Sequence, residues 1–146
     1  MAIACRSARR LEMAPSMPAS VLVVVSEPAL RRSIEFVLGA EGYRVGSLTP
    51  LKSAKEAVKR TNVDCVVIDE EEVLGEPAGW ELLRQIIPPI VLLAYRLREI
   101  PIIEGITVVG KPMLGGALVS AIKSALSGRS AQKGALHRPG QQSGAL

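Results

Sequence analysis

Histidine occurs once in the 146 residues, cysteine twice, and Phe, Tyr and Trp together four times. The one histidine, His137, lies close to the carboxyl end. Chemistry built on several imidazoles, whether metal ligation or acid–base relay, therefore has no residues to work with. Cys5 and Cys65 lack metal-ligand spacing, and Cys65 sits inside an apolar run. Neither a disulfide framework nor a thiolate zinc site is expected, and a reducing, cytoplasmic setting fits. No apolar run approaches the roughly 20 residues of a bilayer-spanning helix. The first 18 residues also lack the apolar stretch of a secretory signal, so no membrane attachment is expected. Phe36, Tyr43, Trp80 and Tyr95 are the full aromatic set, which obliges the core to be aliphatic.

Basic charge is missing from the body of the chain. The net charge is +4, but Arg6, Arg9 and Arg10 against Glu12 place +2 in the first 20 residues. Arg129, Lys133 and Arg138 place +3 beyond residue 127, which leaves the middle at −1. A basic footprint for nucleic acid is therefore not expected on the folded domain.

What is present is 48% hydrophobic residues in a length that suits one domain. Residues 1–19 read as a flexible extension, in which Met13 and Met17 are alternative starts. Residues 20–127 read as the domain, and the Gly-, Ser- and Gln-rich residues 128–146 as a disordered tail. Within the domain, strand and helix signals alternate. Val21 to Val25 is an unbroken β-branched run of the kind buried on both sheet faces. Ser26 offers a helix N-cap ahead of Pro28, and the helix that follows ends at Gly42. Tyr43–Leu48, Cys65–Ile68, Pro89–Ala94 and Ile106–Val109 read as further strands. Helices are expected from Thr49-Pro50 onward, over Trp80–Ile87 and over Leu114–Leu126. This alternation implies a doubly wound parallel α/β sheet with helices on both faces. Its ligands belong at the carboxyl ends of the strands, beside Ser26-Glu27, Asp69 and Ala94-Tyr95.

Four short motifs in the right order resemble the receiver domain of bacterial two-component response regulators. Val21–Leu30 is similar to that family's first strand and helix start. Asp64-Cys65-Val66-Val67-Ile68-Asp69 resembles its third strand, which ends in the phosphate-accepting aspartate. Gly79-Trp80-Glu81-Leu82-Leu83 resembles the glycine and helix that follow, and Lys111-Pro112 the Lys-Pro pair after strand five. The resemblance implies a flavodoxin-like, CheY-like three-layer fold with strand order 2-1-3-4-5, here with a shortened fourth helix. It implies Asp69 as the phospho-acceptor candidate, with Ser26, Glu27, Ala94 and Lys111 around it. An Asp69–Lys111 ion pair is expected, and the Lys111-Pro112 bond is a candidate for cis geometry.

The departures from the family pattern bear on chemistry. Val25 and Ser26 stand where the family has two Mg²⁺-binding aspartates, Ala94 stands for a Ser or Thr, and Val108 for the aromatic of strand five. A phosphoryl group brings about −1.5 to −2 charges, which Mg²⁺ normally offsets from one or two carboxylates. No cofactor is therefore expected, and Mg²⁺ only through the weaker candidate ligands Asp69 and Glu71. Glu70, Glu71 and Glu72 otherwise read as a solvated acidic loop. Gly105 to Lys111 has P-loop spacing, but Pro112 replaces its Ser or Thr and the interior is β-branched. Trp80 reads as a packing residue. Arg96 and Arg98, with Ile100, Ile102 and Ile103, form an apolar, basic-rimmed stretch where such domains dock partners, with core packing the first expectation for the isoleucines.

The function implied is a stand-alone, atypical receiver that is not an enzyme. It would signal through contact with a histidine kinase or another signalling protein, or as a homodimer, without Mg²⁺-dependent phosphorylation. Two alternatives stand beside it. One is an unorthodox phospho-acceptor phosphorylated on Asp69 by a histidine kinase. The other is a flavodoxin-like small-molecule binder.

Overall fold

The computed structural model describes residues 18–95, 101, 103–112 and 115–135. The chain runs β1 (Ser20–Val24), α1 (Pro28–Ala40), β2 (Arg44–Ser47), α2 (Leu51–Arg60), β3 (Cys65–Asp69), α3 (Glu70–Leu74), α4 (Gly79–Arg84), β4 (Ile90–Ala94), β5 (Ile106–Gly110) and α5 (Gly115–Ala135). The five strands form one parallel sheet in the order β2-β1-β3-β4-β5. The chain therefore has the doubly wound, CheY-like fold expected from its residues. Strand order reverses at β1, so β1 and β3 lie side by side, with Val24 opposite Ile68.

Strand alternation divides the aliphatic core in two. Val21, Val23, Val25, Cys65, Val67, Val91, Leu93 and Val109 face α1 and α5, meeting Ile34, Leu38, Leu118 and Ile122. Leu22, Val24, Val66, Ile68, Ile90 and Leu92 face the other way, onto Leu51, Ala54, Val73 and Leu83. The inner strands β1, β3 and β4 thus read as continuous apolar runs because both of their faces are covered. Trp80 is partly buried against the second layer, the packing role expected of it.

Element ends depart from the sequence reading for local reasons. The N-cap of α1 is Glu27 rather than Ser26: its carboxylate accepts from the amides of Leu30 (2.7 Å) and Ala29 (3.1 Å), with Pro28 as the first helical residue. Gly42 after α1 adopts φ +92°, open to glycine without a Cβ penalty. Thr49-Pro50 is cis, and α2 starts only at Leu51. α5 continues to Ala135, past the boundary where composition predicts a tail. Between β4 and β5 no helix occurs among the described residues. Arg96, Arg98, Ile100 and Ile102 lie outside them, while Ile103 packs on the second core layer. Among the described residues no helix is long and apolar enough to cross a membrane.

α3 and α4 are joined by a tight corner. Ala78 takes left-handed φ of 58°, and a Cβ on Gly79 would lie 1.9 Å from the Val73 carbonyl oxygen. That contact is with backbone, which cannot swing aside. Gly79→Ala should therefore cost about 1–3 kcal/mol by overpacking, read as a lower urea midpoint.

Candidate functional site

The carboxyl ends of β1, β3 and β4, and the residue after β5, surround a cleft of about 740 Å³. Ser26, Glu27, Leu30, Asp69, Glu71, Glu72, Tyr95, Lys111 and Pro112 are among its lining residues. At its base the Lys111 Nζ donates to Asp69 Oδ1 at 2.7 Å. Both side chains are withdrawn from solvent, Asp69 to 4% and Lys111 to 7% exposure. The ammonium also lies 4.4 Å from the centroid of the Tyr95 ring, within cation–π range. The Lys111-Pro112 peptide is cis, and the Lys111 amide donates to the Ala94 carbonyl, which fixes the loop after β5 against β4.

Sequence reading placed Glu70, Glu71 and Glu72 in a solvated loop, and the structure corrects this. They form the first turn of α3, capped by Asp69, whose Oδ1 also accepts the Glu71 amide at 3.3 Å. Carboxylates favour a helix N-terminus because its first N–H groups lack partners. Of the three, Glu71 alone is exposed. Glu70 is buried, and its Oε1 accepts the Tyr95 amide at 2.7 Å. Glu72 Oε2 accepts the Ser26 amide at 2.9 Å. The signal for the helix was legible as Asp69 followed by three glutamates, an N-cap with an acidic first turn. The two distant amides were not legible, because they lie 25 and 46 residues away along the chain.

The positions expected to hold a metal are unsuited to it. Val25 is packed in the core beside Val21 and Val23 and does not line the cleft. Ser26 lines it but brings a neutral hydroxyl. Asp69 is committed to Lys111, and among the described residues no cluster of three His, Cys, Asp or Glu is arranged to hold a metal ion. The residues present therefore do not fit Mg²⁺. Ala94 is fully buried and supplies no hydroxyl. The cleft carries the carboxylates of Glu27, Asp69, Glu71 and Glu72 against one ammonium, a field that opposes an incoming dianion. Arg31 reaches the rim, where its guanidinium donates to the carbonyls of Val25 and Ser26.

No protein-family model matches the sequence, and no curated protein matches it significantly. Solved structures do match. A response regulator receiver protein from Sinorhizobium medicae is 23% identical over 77% of this chain and 97% of its own, with a TM-score of 0.64. A response regulator receiver domain protein from Clostridium thermocellum is 19% identical over 78% of this chain and 98% of its own, at a TM-score of 0.65. The response regulator PhyR from Brucella abortus is 19% identical with a TM-score of 0.69, covering 82% of this chain and 52% of that longer protein. The likeness is one of fold: this chain has the architecture of receiver domains.

Removing either member of the buried pair leaves the other charge without its partner. Asp69→Leu and Lys111→Met should each cost about 3–5 kcal/mol, and the double variant much less than their sum. Urea unfolding of the four proteins measures the coupling.

Glu27 gives a pH signature. The amides of Leu30 and Ala29, ahead of a smaller contribution from Arg31 and Arg32, hold its carboxyl below the ordinary value of 4.5. Its stabilising effect is therefore complete above that value and is lost as pH falls through the lowered one. The stability difference between the native protein and Glu27→Gln should be present at neutral pH and vanish in acid, by urea midpoints across pH.

Proposed function

We propose that this chain is an atypical response-regulator receiver, a signalling module that acts by binding another protein without Mg²⁺-dependent phosphorylation. The observation that carries the reading is the state of the strand-end cleft. It keeps the Asp69–Lys111 pair at the base, but the two residues after β1 are a buried valine and a serine in place of metal-binding carboxylates. Phosphoryl transfer to an aspartate is mainly positioning and charge neutralisation. This cleft supplies positioning and opposes the charge. Tyr95, a 63% exposed residue whose ring lies over Lys111, presents an aromatic surface at the cleft rim, where a histidine kinase or another signalling protein would dock. The reading makes the chain a binding module rather than an enzyme.

Amide NMR spectra recorded with Mg²⁺ and beryllofluoride, a phosphoryl mimic, test this. The native chain should show no saturable shift at Ser26, Asp69 or Tyr95. Ser26→Asp should introduce Mg²⁺-dependent shifts at millimolar concentration, because it places a carboxylate on the wall shared with Asp69. A saturable beryllofluoride response in the native chain that disappears in folded Asp69→Asn would establish the phospho-acceptor instead.

A further inference from the structure

Three donors converge on the carboxyl edge of the sheet from three separate loops: the Ser26 amide after β1, the Tyr95 amide after β4 and the Lys111 ammonium after β5. Backbone amides at strand ends, together with a lysine, are the groups with which such an edge would take hold of an external anion. Here each is already bound, and the acceptors all come from one run of four residues. Asp69 takes Lys111 at 2.7 Å, Glu70 takes Tyr95 at 2.7 Å, and Glu72 takes Ser26 at 2.9 Å. Glu71, the member that points to solvent, gives its amide to Asp69 and completes the turn.

We infer that the segment Asp69–Glu72 is a built-in anionic latch that occupies one donor group from each of the three loops and holds the docking edge in one arrangement. The inference rests on the function proposed above and names its regulation: no external anion is needed to set the loops. The geometry favours this economy. A short helix starting at the strand end aims successive side chains in different directions, so one turn reaches loops on both sides of β3. Glu70 turns toward β4 and Glu72 toward β1, the two neighbours of β3 in the sheet. Glu70 is buried to 8% exposure and its bond is charge-assisted, so water competes weakly for the Tyr95 amide. That amide in turn fixes the residue whose ring lies over Lys111. The latch, the ion pair and the exposed aromatic surface are thus one connected unit.

Amide hydrogen exchange on the full chain, followed by NMR, tests the latch. The Tyr95 and Ser26 amides should be protected in the absence of any added anion. Glu70→Ala should lower the protection of Tyr95 by about 10-fold or more and leave Ser26 unchanged, and Glu72→Ala should do the opposite. Should Glu70→Ala fail to fold, Glu72→Ala at the more exposed contact carries the same test. Unprotected Tyr95 and Ser26 amides in the native chain, or protection that neither substitution lowers, would overturn the latch. A beryllofluoride titration of the same sample separates the two ideas. Protected amides with a beryllofluoride response support the latch while defeating the proposed function; unprotected amides without a response do the reverse.

Discussion

A lysine ammonium withdrawn from water sets the terms for this end of the sheet. Lys111 reaches the cleft base from beyond β5 and has two partners there, the Asp69 carboxylate and the face of Tyr95. A charge in such a place is tolerable only if its partners are held in position, since desolvation costs several kcal/mol per ion. The requirement therefore spreads outward. Asp69 must stay at the end of β3, Tyr95 must stay at the end of β4, and the loop carrying Lys111 must stay against Ala94. Each of these is met by an identifiable bond: the capping contact to Glu71, the Glu70 carboxylate on Tyr95, and the Lys111 amide on the Ala94 carbonyl.

The core makes this arrangement affordable by being simple. Two aliphatic layers, one against α1 and α5 and one against α2, α3 and α4, cover both sheet faces with Val, Leu and Ile. The buried polar residues among those described, Asp69 and Glu70, sit together where the sheet stops and α3 begins. No buried side-chain polar atom lacks a partner among the described residues. This polar pair lies at the carboxyl edge of the sheet, the general location of ligand sites in open parallel sheets.

That location explains which residues could be assigned roles in advance. Asp69 and Lys111 are the last residue of a β-branched run and the residue before a proline at the end of another, so topology alone brings them to one edge. Glu27 was placed at the cleft, but its cap role was given to Ser26. Both types can cap; only the three-dimensional path of the loop decides which side chain meets the free amides. The glutamates after Asp69 were mistaken for a solvated loop because charge runs usually face water. Glu70 and Glu72 instead accept amides in the loops after β4 and β1, strands that neighbour β3 in space and are remote in sequence.

By itself the sequence determined the alternation of strands and helices, the aliphatic character of the core and the absence of carboxylates at Val25 and Ser26. These follow from residue type and local period, which need no knowledge of distant neighbours. Only the tertiary structure decided that Glu27 rather than Ser26 caps α1, and that Tyr95 covers Lys111. It alone also decided that one acidic turn answers three loops. Those facts depend on strand register and on the direction in which a short helix leaves the sheet. Both are fixed when long-range packing closes the fold.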